Sequence, residues 1–259
     1  PSPPSLFSPA AAAAAAAASA SYAEAAAARR LAIQNWMWAT TENPPAENQS
    51  STSPPPRYSS ASPLPPHSSP SAPPLPPRPP PGRWHDLDLN RGGARLPGVS
   101  AASFTPLWAA VHTSPAQAAA AVDALAGSGL VQVGGLATTL RPSGQQWDWP
   151  NGWPPLQQMI ILGLGRSGDA RGEAMGAALA AAWLKSNYAG WRQTGGMHEK
   201  YDVTQIGRRG GGGEYEPQVG FGWTNGVVLW LLCEYGGGAI EEFAAAECAT
   251  AERAAKEKA

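Results

Sequence analysis

Gln146-Trp147-Asp148-Trp149-Pro150-Asn151-Gly152-Trp153-Pro154-Pro155 is the stretch on which the reading of the fold turns. Adjacent prolines fit a helix only in its first turn, where a missing N–H would have had no intrahelical partner anyway. Pro154-Pro155 therefore predicts a helix from Trp153 to about Leu164, and whatever precedes it must be loop. That loop carries Trp147, Trp149 and Trp153 beside the amides Gln145 and Gln146 and the carboxylate Asp148. Indole faces stack on the apolar faces of a hexose, and its hydroxyls need amide or carboxylate partners, so the loop can serve as a sugar platform. The competing reading is a Trp core cluster with Asp148 capping the next helix.

Helices continue on both sides. Asp169 is a helix cap, and the helix it opens is expected to reach about Tyr188 and stop at Gly190. A further helix is expected to start at Asn225 or Gly226 and run through Val227, Leu229, Trp230 and Leu232 to the glycines from Gly236. An Ala/Glu/Lys-rich helix follows from Ala239. On the N-terminal side, Ser114-Pro115 has the N-cap and N1 chemistry of a helix running to about Ala126. Leu130–Val133 reads as a short buried extended piece, and Ser103–His112 as a short apolar segment. Ala10–Trp38 is helical by propensity, with Ile33, Trp36 and Met37 spaced to form one buried stripe. Strand-type alternation is almost absent. The expected architecture is all-α, with long Gly- and Trp-rich loops between the helices.

Composition divides the 259 residues into unlike parts. Every one of the 29 Gly lies at or after position 82, whereas most of the 28 Pro lie before it. Residues 1–43 are a low-complexity tail with an Ala-rich helix. Residues 44–81 are so rich in Pro that they read as a disordered or polyproline-II segment without the means to form a core. Their PPLPPRPPP stretch has the form of an SH3-type ligand, although a biased low-complexity insertion is the commoner origin. Residues 82–259 are long enough for a packed domain.

A net charge of −1 and a pI near 6.5 argue against a nucleic-acid partner. No run is long and apolar enough for a membrane span. No charged n-region precedes the Ala run, and the sequence assigns no compartment and no oligomeric state. Cys233 and Cys248 read as two small buried thiols. His85, His112 and His198 form no ligand pair with them, so no metal is expected.

Two further loops carry chemistry. His198-Glu199-Lys200-Tyr201-Asp202-Val203 places two carboxylates in reach of Lys200. It is either a surface ion-pair loop or a general base with a neighbour that tunes it. Gly210-Gly211-Gly212-Gly213-Glu214-Tyr215 lacks the spacing of a phosphate loop and leads into Gly220-Phe221-Gly222-Trp223-Thr224-Asn225. Glycines beside Glu-Tyr let backbone approach a ligand closely. No G-x-S-x-G supports a Ser nucleophile. Acids and indoles on a helical frame suggest glycoside hydrolysis.

These three loops, in this order, resemble the trehalase family. Gln146–Pro155 is similar to its QWDxPNxWxP motif, His198–Val203 to its EKYDV segment, and Gly210–Val227 to GGGGEYxxQxGFGWTNGV. Ser103–Trp108 and Arg83–Leu89 are looser matches to FASNFVPLW and WxDYD. The resemblance implies an (α/α)6 toroid that hydrolyses α,α-trehalose to two glucose molecules with inversion and without a cofactor. It implies Glu199 as general base. Trp147 and Asp148 would line the sugar pocket, Glu214 would contact glucose hydroxyls, and Phe221 would close the apolar side. The family is often extracellular or membrane-associated.

The chain also departs from the family. The general acid of trehalases is an Asp in an SGWDFSSRW-like segment, and neither that segment nor PGGRFxExYxWDxY occurs here. Asp86 or Asp88 could partly replace the acid, although their surroundings differ from its motif. The expectation is the C-terminal half of the catalytic domain, a partial toroid that is incomplete or inactive alone. The alternative is a non-catalytic sugar-binding or regulatory remnant.

Overall fold

The computed structural model describes residues 9–39 and 82–236. The Pro-rich 44–81, the helix expected from Ala239, and Cys248 lie outside the described residues. Helix α1 (Pro9–Ala32) leads into a π-helical turn, Ile33–Met37, and strand β1 (Trp38–Ala39). β1 pairs antiparallel with β2 (Arg83–Trp84), in the register Trp38 to Trp84 and Ala39 to Arg83. β3 (Leu87–Asp88) and β4 (Ala94–Arg95) form a second short pair. Then come a 3-10 turn (Ala101–Phe104), α2 (Thr105–Trp108), α3 (Pro115–Ala126), and the hairpin of β5 (Val131–Gln132) with β6 (Gly135–Leu136). β7 (Asn151–Gly152), α4 (Pro154–Gly165), α5 (Ala170–Thr194) and β8 (Tyr201–Asp202) follow. A last described helix, α6, covers 222–236. The described chain is mostly helical, as the sequence predicts.

The core is built on α4 and α5. Ile160, Ile161 and Leu164 of α4 meet Leu179, Ala180, Trp183 and Leu184 of α5, and Val227 and Leu231 of α6 join the same cluster. The predicted starts hold where the cap chemistry is strong. Ser114 accepts from the Gln117 N–H at 3.2 Å with Pro115 in the first turn, and Asp169 accepts from the Arg171 N–H at 2.8 Å. α4 begins at Pro154.

Several expectations need correction. α5 does not stop at Gly190 but continues to Thr194, ending on Gly195 in the left-handed conformation (φ 75°). Gly190 is there for contact: a Cβ would lie 2.9 Å from the Tyr201 ring. α6 begins at 222 rather than at Asn225 or Gly226. In Leu130–Val133 only Leu130 is buried, because the two-residue hairpin turns Val131 and Val133 outward. Cys233 is exposed. The stripe at Ile33, Trp36 and Met37 is broken: the turn becomes π-helical, and Trp36 is 63% exposed.

Residues 33–38 nevertheless belong to the packing. Ile33, Met37 and Trp38 cover a second cluster of Trp84, Leu107, Ala118 and Ala121. Gln34 donates to the Val111 carbonyl and accepts from the Gln117 amide at 2.6 Å. The His85 N–H donates to the Met37 carbonyl at 2.9 Å. No described helix is long and apolar enough to cross a membrane.

Candidate active site

Three loops converge because β7 and β8 pair. Asn151 lies opposite Asp202 and Gly152 opposite Tyr201, which joins the turn before α4 to the turn after α5. The Gly-rich loop is then tied across both. The Gly210 N–H donates to the Lys200 carbonyl at 3.0 Å. The Asn151 amide donates to the Gly211 carbonyl at 2.8 Å and accepts from the Gly211 N–H at 3.1 Å. Gly210 must be Gly here, since a Cβ would meet Asn151 Oδ1 at 2.7 Å and Lys200 Cγ at 2.8 Å.

The indoles are ordered rather than merely clustered. Trp147 stacks on Trp153 with centroids 3.9 Å apart and planes 4° apart. Trp223 stands edge-on to both, at 6.4 and 5.5 Å, and Phe221 packs on Trp223 at 4.8 Å. Trp153 is buried, with its indole N–H on the Gln146 carbonyl at 2.8 Å, whereas Trp147 remains 42% exposed. Trp149 turns into the core. The core-cluster reading therefore holds for Trp149 and Trp153, which are buried, whereas Trp147 keeps an exposed face.

His198-Glu199-Lys200 is not a surface ion-pair loop. Glu199 is 3% exposed and Lys200 fully buried. Tyr215 donates its hydroxyl to Glu199 Oε1 at 2.9 Å, and the Gln218 N–H donates to Oε2 at 3.3 Å. The backbone is held as well: the Glu199 carbonyl accepts from the Trp223 indole at 3.3 Å, and its N–H donates to the Gln218 carbonyl at 3.0 Å. Lys200 Nζ stands 3.8 Å from Glu199 Oε2, over the rings of Trp153 (5.0 Å) and Tyr215 (5.3 Å). Burial lowers the Lys200 ammonium from its ordinary range, and the Glu199 carboxylate acts against that. The Tyr215 hydroxyl is pushed up by desolvation and by its bond to Glu199. His198 is lowered, first by burial and then by Arg209.

Asp202 is not in the group around Lys200. Its carboxylate accepts from the Thr204 N–H and hydroxyl at 3.0 and 2.6 Å and faces Arg208 at 3.5 Å. Asp148 is half-buried and braces its own turn, accepting from the Thr139 hydroxyl at 2.8 Å and from the Ser143 hydroxyl. It does not cap α4, whose N-cap is Trp153. Glu214 is exposed and makes no described hydrogen bond or ion pair. Asp88 caps a 3-10 turn through the Asn90 N–H at 3.0 Å and faces Arg91. The loops thus bring Trp147, Phe221 and Glu199 into one constellation and add Tyr215, Trp153, Trp223 and Lys200. Sequence reasoning placed Trp153 among the platform indoles and Lys200 in reach of the candidate base, but gave Tyr215 and Trp223 no roles of their own; the signal available was their place in the same motifs as Glu214 and Phe221. Among the described residues no group of three His, Cys, Asp or Glu side chains is placed to hold a metal ion.

A profile of the family described as "Trehalase" matches residues 80–236, more than half of the chain. The chain belongs to the trehalase family. All three site loops lie inside the matched region. This trehalase-family chain is 44% identical over 161 residues to the probable trehalase of Oryza sativa subsp. japonica, covering 60% of this chain and 28% of that protein. The trehalase of Arabidopsis thaliana is 44% identical over 165 residues, and that of Homo sapiens 42% over 156; each match covers 60% of this chain and 26% or 27% of the relative. Among solved structures, the neutral trehalase from Saccharomyces cerevisiae superposes with a TM-score of 0.51 at 32% identity, covering 63% of this chain and 28% of that one. The chain thus spans little more than a quarter of the length of the trehalases it matches.

Proposed function

We propose that this chain carries the water-activating part of an α,α-trehalase site, in the C-terminal segment of an (α/α)6 toroid. The reaction is hydrolysis of trehalose to two glucose molecules with inversion. The observation that carries this reading is the Glu199 carboxylate, buried beside stacked indoles and held at both oxygens. Its role is to take a proton from water as the water oxygen attacks the anomeric carbon, on the face opposite the departing glucose. A second carboxyl protonates the leaving glycosidic oxygen, and inverting enzymes set the two carboxyls about 6.5–9.5 Å apart to leave room for the water. Within residues 1–259 no segment resembles the acid-bearing motif of the family, so that partner is expected from sequence of the kind found elsewhere in the relatives.

In this reading Trp147 offers its exposed face to a glucosyl ring, Phe221 closes the apolar side, and Glu214 swings from its free position onto sugar hydroxyls. Asp148 acts on the pocket by fixing the Trp147 turn through Thr139 and Ser143. A second reading is sugar binding without turnover, which the exposed Trp147 face would serve without a second carboxyl.

Two measurements separate them. Calorimetric titration of the protein with trehalose reads binding; no heat at millimolar trehalose removes both readings. Joining the N-terminal segment of the rice relative to this chain, and assaying glucose release, reads catalysis. Release that is lost in Glu199→Gln supports the trehalase reading. A folded, trehalose-binding fusion without release leaves the binding reading standing.

A further inference from the structure

A buried ammonium with no hydrogen bond needs an explanation, because burial without partners is costly and an apolar side chain of similar volume would pack there more favourably. Lys200 is such a group: its Nζ is buried and makes no hydrogen bond. Three electron-rich groups surround it, the Glu199 carboxylate and the faces of Trp153 and Tyr215. The 3.8 Å to Glu199 Oε2 is well beyond the roughly 2.7–2.9 Å of a charge-assisted hydrogen bond. Lys200 therefore acts on Glu199 by charge without occupying one of its lone pairs. Tyr215 serves twice, as its ring forms one wall around the ammonium while its hydroxyl fixes Glu199 Oε1.

The geometry points to Lys200 and Tyr215 as positioning residues that hold the Glu199 carboxylate fixed in direction, leaving lone pairs open to the attacking water. This rests on the reading of Glu199 as the base. Among the described residues, Glu199 is the one partner of opposite charge that Lys200 faces within 4 Å. Arg209 and Glu216, which pair with each other at 2.5 Å, act on Lys200 from farther off with opposite signs. His198, on the other side of Glu199, is held toward its neutral form by burial.

The test reads the placement of the Glu199 carboxyl directly and does not depend on turnover. The protein is labelled with 13C at the Glu side-chain carboxyls, and the Glu199 signal is identified by its loss in Glu199→Gln. A carboxylate held in one direction gives one sharp signal displaced from those of exposed Glu side chains. Tyr215→Phe, which keeps the ring and removes the hydroxyl on a half-exposed side chain, should shift that signal toward the exposed ones. Lys200→Met should shift or broaden it, and Lys200→Arg should keep it near the wild-type position. An unmoved and equally sharp signal in folded Lys200→Met overturns the proposal. If Lys200→Met does not fold, an unmoved signal in Tyr215→Phe overturns it instead. Glucose release by the Glu199→Gln fusion tests the base separately: full release there would remove the base reading, whereas an insensitive signal would remove only the positioning roles.

Discussion

Trp38 and Trp84 sit directly opposite each other on an antiparallel strand pair, with ring centroids 4.5 Å apart, although residues 40–81 intervene in sequence. Ala39 and Arg83 are partners in the same register, so the chain leaves and re-enters the fold at adjacent points. The cost of closing a loop grows only slowly with its length. Replacing 41–81 with a short Gly/Asn turn, while keeping Gly82, should therefore leave the melting temperature within a few degrees. A collapse of the melting transition in thermal denaturation followed by circular dichroism would show that the excised segment contributes packing.

Glu199→Gln keeps the shape and the hydrogen-bond acceptor for Tyr215 but removes the basic oxygen. General-base catalysis contributes about 10²–10⁴-fold, and loss of one member of an acid–base pair removes most of the rate. Glucose release by the fusion should fall by at least about 10³-fold, while trehalose affinity in calorimetry changes less than about threefold. Retention of full rate would move the base assignment to Glu214.

Trp147 and Trp153 stack on each other but should respond differently to truncation. Trp147→Ala removes an exposed face and should cost trehalose binding on the order of 1–2 kcal/mol, with little change in stability. Trp153→Ala empties a buried site under Lys200 and should lower stability by about 3–5 kcal/mol. Titration calorimetry and urea unfolding of the two variants check the contrast.

His85 and His198 are both lowered from the usual 6.5 by burial, His85 additionally by Arg83 and Arg95 and His198 by Arg209. The unfolded chain therefore takes up protons at these sites before the folded one does. Their stabilising effect is complete above the unfolded pKa and is lost as pH falls from about 6.5 through the folded values. Melting temperature should drop between pH 7.5 and 5.5, and the drop should be smaller in His85→Gln and in His198→Gln.

Much of this was legible in the sequence where a residue's chemistry is local. Ser114-Pro115, Asp169 and Pro154-Pro155 mark helix starts because a cap or a missing N–H acts on its own turn. Gly190 misled because a glycine that ends a helix and one that admits a neighbouring ring look alike in sequence; only the approach of Tyr201 separates them. Trp36 misled because the helix unwinds to a π turn at that point, which shifts the side chains off a regular stripe. The site loops were legible as motifs. The sharing of Lys200 among Glu199, Trp153 and Tyr215 was not, since it depends on strand pairing and loop closure across distant segments.

Asn151 joins the indole turn to the glycine loop with one side chain, gripping Gln146 on one flank and both polar atoms of the Gly211 backbone on the other. That one amide is the seam between the two loops, reinforced by the Gly213 N–H on the Gly144 carbonyl at 3.1 Å. A change at Trp147 or Glu214, both exposed, would leave this junction intact, whereas a change at Asn151 would unstitch both loops at once.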